Sequence, residues 1–147
     1  MTPADIAAAM LAREGTGPAW GIEIEAADEG FARVRMTVRA DMLNGHGLAH
    51  GGMIFALADT AFAYACNSRN VATVAAQASI VFIAPARAGD VLNAEASERA
   101  VVGRTGTYAV SVRTADGRPI ADFHGLSRTL GGAVVEPSPG NSTDEHR

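Results

Sequence analysis

Lysine is absent from the 147 residues, and all twelve basic side chains are arginine. Either genomic composition or the fit of arginine's planar fork to phosphate groups accounts for that choice. Acidic residues outnumber the arginines and leave a formal net charge of -4. This argues against a nucleic-acid binder, which carries a clustered basic excess to neutralise phosphates. Cysteine occurs once, as Cys66, so no intrachain disulfide can form and a reducing compartment is the simpler setting. No apolar run reaches the roughly 20 residues of a membrane span. The opening residues MTPADIAAAMLAREG lack the charged start and apolar stretch of a signal peptide. These readings together predict a cytoplasmic protein without membrane partners.

Several catalytic signatures are missing too. There is no GxSxG and hence no nucleophile elbow for a serine triad. His46 and His50 are four residues apart, but in a glycine-rich loop and without an HExxH helix, so neither a metal nor any other cofactor is expected. Cys66 has no histidine near it in sequence to make it a nucleophile.

The chain length fits one domain with a substantial core, and 48% apolar and 19% charged residues are ordinary globular values. Thr2-Pro3 reads as a helix start, with Ile6, Met10 and Leu11 at helical spacing before Gly15. Two period-two runs follow: residues 21–26, and FARVRMTV from Phe31, in which Ala32, Val34, Met36 and Val38 share one face. Joined by Asp28-Glu29-Gly30, they make a hairpin. Past a long apolar helix, strand patterns recur over residues 71–84, 89–102, 105–114 and 119–130, with turns at Gly89, Gly103 and Asp116-Gly117. The order is helix, two strands, one long helix, four strands.

The stretch from Leu43 to Ser68, LNGHGLAHGGMIFALADTAFAYACNS, organises the rest. A glycine-punctuated loop enters an apolar helix broken only by Asp59 and Thr60. A helix apolar on all sides is expected to be covered on all sides, and a sheet curling round it leaves one side for another subunit. No serine, threonine, aspartate or asparagine stands at the cap position before Gly51-Gly52, so the first N–H groups are expected to lack a side-chain acceptor. Either the glycines serve tight packing, or the free donors at a positive helix end receive an oxyanion or carbonyl oxygen. Asp59 is either a buried carboxylate satisfied locally or a catalytic group. It lies eight residues past Gly51, about 12 Å along a helix, too far for both to touch one carbonyl within a chain. If both act together, the carboxylate comes from a second, antiparallel copy of the helix across a two-fold axis.

The run NGHGLAHGGMIFALADTAFAYACNS is similar to the signature of the PaaI-type (phenylacetic acid degradation) acyl-CoA thioesterases of the hotdog fold, and the spacing of Asn44, Gly51 and Asp59 is its specific part. The likeness covers roughly residues 15 to 132 and ends on the pair Gly131-Gly132. The Thr2-Pro3 start gives an N-terminal helix in 1–15, and GGAVVEPSPGNSTDEHR, with two prolines, three glycines and no apolar period, reads as a mostly disordered tail in 133–147. The likeness implies an α+β hotdog domain over residues 16–132, a curved antiparallel sheet around one central helix. It further implies that the Gly51 amide polarises the thioester carbonyl, that Asn44 assists it or positions water, and that Asp59 of the partner subunit is nucleophile or general base. His50 belongs to the pattern, as substrate contact or as orienter of the loop. Gly52 and Thr60 flank these groups and are counted with the substrate-binding positions. Met53, Phe62 and Phe82 are pocket-lining candidates, with core packing as the other reading. Arg87, Arg99, Arg104 and Arg128 are candidates for the phosphates of coenzyme A, against ordinary solvated arginines. The implied activity is hydrolysis of a small, aromatic (phenylacetyl-type) acyl-CoA by a homodimer, assembled as a homotetramer. A non-catalytic acyl-CoA sensor and a hotdog enoyl-CoA hydratase are the alternatives; Asp59 counts against the first, and the absence of a helix histidine near it against the second.

Overall fold

In the computed structural model, which describes residues 1–136, three α-helices and six strands follow one another. They are α1 Pro3–Arg13, α2 Thr16–Ala19, β1 Glu23–Asp28, β2 Phe31–Thr37, α3 Gly51–Cys66, β3 Thr73–Phe82, β4 Val91–Val102, β5 Thr105–Thr114 and β6 Pro119–Thr129, with a 3-10 turn at Ala40–Met42 before α3. The strands form one antiparallel sheet in the order β1-β2-β4-β5-β6-β3. It curves around α3, and the fold is that of an α+β hotdog.

Side-chain parity decides which face of the sheet meets the helix. On β2 the alternation read from the sequence turns Ala32, Val34, Met36 and Val38 inward, where they are buried. Leu92, Ala94 and Ala96 on β4 and Tyr108, Val110 and Val112 on β5 join them. From α3, Ile54, Leu57, Ala58, Ala61, Phe62 and Ala65 close the core. Phe62 leans on Tyr108 and Phe123, with ring centroids 5.4 and 5.8 Å away, and Phe55 meets Phe123 edge-on at 5.2 Å. This ring cluster lies over β6 at Gly125, where an added Cβ would come within 2.7 Å of the Phe62 ring.

The helix is not covered on every side. Gly52, Met53, Phe55, Ala56, Asp59, Thr60 and Ala63 stay exposed or half-buried, and their spacing draws one stripe along α3. One sheet wraps one side of a cylinder, and among the described residues of a single chain the opposite stripe has no cover.

The two edges of the sheet differ. β1 is six residues long, carries a register shift at Ile24/Ala26 and is flanked by the ion pairs Arg35–Glu23 and Arg33–Glu25. Charge, shortness and irregularity protect an edge from pairing. β3 is ten residues long, uncharged, and exposes Val74, Val81 and Phe82.

At the N-terminus Thr2 and Asp5 form a reciprocal capping box on α1. The helix ends at Arg13 with Glu14 extended, so its stop does not use Gly15, whose backbone is right-handed. The short α2 had no signal in the sequence. Of the tail expected over residues 133–147, those from 137 on lie outside the described residues. Before them, the Arg13 guanidinium donates to the Val134 carbonyl and the Asn70 side chain exchanges two hydrogen bonds with the Val135 backbone.

Candidate active site

The loop entering α3 is a small folded unit. The His50 N–H donates to the Met42 carbonyl and the Asn44 N–H to the Leu48 carbonyl, with Leu43 and Ala49 bridged between them. Ala49 N–H donates to the Ala86 carbonyl and ties the loop to the segment after β3. The Asn44 side chain completes the unit: its Oδ1 accepts from the His46 N–H at 2.9 Å and the Leu48 N–H at 3.1 Å. Two N–H donors at one atom require that atom to be the oxygen, so the Asn44 amide nitrogen is left as a donor. Among the described residues nothing accepts its hydrogens.

The start of α3 departs from the sequence expectation in one respect. His50 occupies the cap position and its Nδ1 accepts the Gly52 N–H at 2.9 Å. Imidazole is an unusual cap, but an unprotonated ring nitrogen accepts as a hydroxyl oxygen does. It follows that the neutral ring carries its proton on Nε2, and that Gly52 is not a free donor. Gly51 is: among the described residues its N–H has no acceptor, and it stands at the positive end of a sixteen-residue helix.

Asn44, Gly51 and Phe82 come together in a cleft of about 380 Å³ whose other walls are Leu48, Ala49, Ile54, Ile83, Ala84 and Pro85. The walls are apolar, and the two donors at Gly51 and Asn44 are the polar exceptions. The Phe82 ring lies across Gly51 so closely that a Cβ there would be 3.0 Å from its Cζ. A side chain at this position would have the ring give way by a few tenths of an ångström. Leu48, Ile83 and Pro85 were not singled out from the sequence, because an apolar residue next to a strand end reads as core.

Asp59 is not in this cleft. It sits two turns along α3, on the uncovered stripe, without an ion-pair or hydrogen-bond partner among the described residues. Burial raises its carboxyl above the ordinary 3.8. Thr60, its neighbour, donates its hydroxyl to the Ala56 carbonyl at 2.7 Å and not to Asp59. Met53, on the stripe, is half-buried against the core, and Phe62 is 1% exposed within the core. Neither borders the cleft, so in the single chain Phe62 is core.

The arginines divide by position. Arg87 is exposed in the loop that follows β3, next to Ala86, which holds the active-site loop. Arg128 pairs with Val74 at one end of β6, whereas Ala121, seven residues back, pairs with Phe82 at the cleft end. That separation is about 23 Å at strand rise. The Arg104 carbonyl accepts from the Thr129 N–H at the same far end, and Arg99 is exposed on β4. In one chain, Asp59, Arg104 and Arg128 are all remote from Asn44 and Gly51. Among the described residues no three histidine, cysteine or acidic side chains are grouped to hold a metal ion, and no helix is long and apolar enough to cross a membrane.

Residues 46–121, which run from the second half of the loop through α3 and β3 to β5 into the start of β6, match the family described as the thioesterase superfamily. The chain belongs to the thioesterase superfamily. Among the relatives of this thioesterase, the acyl-coenzyme A thioesterase PaaI of Escherichia coli (strain K12) is 47% identical over 127 residues, 86% of this chain and 91% of that one. The solved structure of the E. coli PaaI protein from the phenylacetic acid degradation operon superposes with a TM-score of 0.87 at 46% identity, covering 89% of this chain and 95% of that chain. A thioesterase protein from Streptococcus pneumoniae TIGR4, solved with coenzyme A, superposes with a TM-score of 0.73 at 26% identity, covering 76% and 88%. The enzyme class is thus a thioester hydrolase.

Proposed function

We propose that this thioesterase hydrolyses acyl-CoA thioesters of small aromatic acids, of the phenylacetyl type, at two equivalent sites shared between paired copies. One observation carries the reading. Among the described residues, the chain holds an apolar cleft with two unpaired N–H donors, at Asn44 in the loop and Gly51 on α3, and a carboxylate without a partner, Asp59, about 12 Å along α3 from Gly51. A thioester carbonyl oxygen placed between Gly51 N–H and the Asn44 amide gains two donors as it becomes an oxyanion. Asp59 of the second copy then supplies the attack, through its own oxygen or through a water whose proton it takes. In the water route, collapse of the tetrahedral species breaks the C–S bond, the departing thiolate takes the proton that Asp59 removed from water, and the acid remains. In the direct route, collapse leaves a mixed anhydride on Asp59 and a thiolate that takes its proton from water, and a second water then hydrolyses the anhydride to the acid and restores the carboxylate.

The unpaired β3 edge supports the pairing. A long, uncharged edge with exposed valines is a template for another strand. A second copy laid antiparallel on β3 would continue the sheet and cover the stripe of α3. Antiparallel pairing also reverses ends, so Arg104 and Arg128 of one copy would approach the cleft of the other, beside its Arg87. The E. coli PaaI relative and the coenzyme A bound to the S. pneumoniae protein support the substrate class. The family likeness suggests a tetramer of two such dimers, which sedimentation equilibrium measures.

Thiol release from a panel of acyl-CoAs tests the function. Turnover with phenylacetyl-CoA ahead of long aliphatic chains is expected; tight binding without turnover of any member would make the protein a sensor. Sharing is tested by mixing Asn44→Ala chains with Asp59→Asn chains, each inactive alone. Partial recovery is expected, and none, with subunit exchange demonstrated, means that each chain works by itself.

A further inference from the structure

The segment from Ile83 to Asp90, between β3 and β4, is anchored at both ends by backbone. The Ile83 and Ala84 N–H groups donate to the Ile120 carbonyl at 2.8 and 3.2 Å, and at the other end the Gly89 N–H and the Asp90 carbonyl each bond Val38 at 2.8 Å. Between these anchors lies the part that matters to the site. Pro85 walls the cleft, and the Ala86 carbonyl accepts the Ala49 N–H at 2.8 Å. Proline has no N–H to give, so this stretch is short of backbone partners of its own. Arg118, in the turn between β5 and β6, holds it instead. Its Nη1 donates to the Pro85 carbonyl at 2.9 Å and its Nη2 to Asp90 Oδ2 at 3.1 Å, and the same Oδ2 accepts the Arg87 N–H at 2.8 Å. One guanidinium thus bridges both ends of the stretch. Among the described residues, no other side chain from outside the segment bonds it. The turn is built to present this arginine: Gly117 takes a φ of 93°, Thr114 Oγ1 accepts the Arg118 N–H at 2.9 Å, and the Ala115 N–H donates to the Val91 carbonyl at 2.9 Å, beside Asp90.

As a source of stability this contact is slight. The Arg118 and Asp90 side chains are 43% and 29% exposed, and an ion pair so open to water contributes little. Its effect on geometry is larger, because a planar fork fixes two acceptors at once and the stretch that it fixes carries Ala86. From Ala86 the constraint passes to Ala49, one residue before the His50 cap, and so to the loop that places the Asn44 amide and the Gly51 N–H. Donors to a developing oxyanion work only as far as they are set in advance, and a displacement of about 1 Å costs on the order of 10²-fold in rate. We propose that Arg118 is a positioning residue for the hydrolysis: through Pro85 and Asp90 it holds the segment that sets Asn44 and Gly51 against the thioester carbonyl. It acts through the backbone and not on the substrate. This inference rests on the donor roles proposed above for Asn44 and Gly51.

The test is a split between turnover, binding and stability. Arg118→Ala should lower kcat for phenylacetyl-CoA about tenfold or more, while the inhibition constant of free coenzyme A stays within about twofold and Tm moves little. Arg118→Lys keeps the charge but has one nitrogen for two acceptors, and should fall between Arg118→Ala and the parent. A kcat per folded chain equal to the parent's overturns the proposal. So does weaker coenzyme binding with kcat intact, which would make Arg118 a support for Arg87 alone. Should Arg118→Ala not fold, Arg118→Lys is judged by the same split. Mixed dimers of Asn44→Ala and Asp59→Asn chains add a test of place, because their one intact site takes Asn44 and Gly51 from the Asp59→Asn chain. Arg118→Ala on that chain should lower turnover, and a fall confined to the other placement overturns the positioning role. Absence of turnover by the unsubstituted protein would overturn the function and the role of Arg118 together, whereas turnover indifferent to Arg118 overturns the role alone.

Discussion

Asp59 carries the attack in the proposed mechanism, and its environment gives that role a recognisable pH signature. A group that attacks or takes a proton must be ionised, and burial raises its carboxyl above 3.8. Activity should therefore be lost on acidification through a value above the ordinary carboxylate range, seen as an acid limb in kcat/KM against pH. Asp59→Asn should lower kcat by about 10²- to 10⁴-fold, without loss of folding. Stability moves in the other direction. A raised carboxyl binds its proton more tightly in the folded state, so its stabilising share is present at low pH and lost as pH rises past 3.8 toward the raised value. The difference in Tm between Asp59→Asn and the parent should accordingly widen in favour of the variant as pH rises through that window. At Gly51 the constraint is steric. Gly51→Ala should push the Phe82 ring out of the cleft and lower kcat/KM, and the double substitution with Phe82→Ala should recover part of the loss. An unaltered Gly51→Ala enzyme would mean that the ring moves aside without consequence.

At the scale of elements, α3 and its entering loop show what sequence reasoning reaches. The inward parity of Ala32, Val34, Met36 and Val38 was readable because alternation encodes one buried face directly. The extent of the helix was readable from its unbroken apolar run. The cap was not, because histidine is seldom in that role and nothing local marks its ring as an acceptor. Asn44 and Gly51 could be named as a pair but not placed; their convergence depends on Asn44 Oδ1 closing the loop and on Ala86 holding Ala49. Phe62 illustrates the limit from the other side, since an aromatic on an apolar helix reads alike for pocket and core, and only Gly125 beneath it settles which. Gly125→Ala should press on that ring, which cannot move within the aromatic cluster, and cost about 1–3 kcal/mol of stability in denaturant unfolding. Retained stability would show slack in the core at this point. Strand neighbours were also beyond reach: β3 leaves the helix and pairs with β6, the last strand formed, and no local pattern names a partner so distant.

For the whole molecule, the sheet has one guarded edge and one open edge among the described residues, and that asymmetry is the ground for the pairing proposed through β3. Val81, 65% exposed on β3, tests it. Val81→Lys should leave the far-ultraviolet circular dichroism intact, shift sedimentation to the single chain, and abolish turnover. Activity retained by a single chain would contradict shared sites.

The separation of Gly51 from Asp59 also has a genetic reading. If sites are shared as proposed, then in a cell carrying two alleles a chain lacking only Asp59 still lends its Asn44 and Gly51 to a normal partner, and each mixed dimer keeps one working site. Total activity then falls in proportion to the fraction of altered chains, and the allele behaves as recessive. A chain lacking both Asn44 and Asp59 spoils both sites of any dimer it enters. Activity then follows the square of the normal fraction, and the doubly altered allele is dominant, although neither single lesion is.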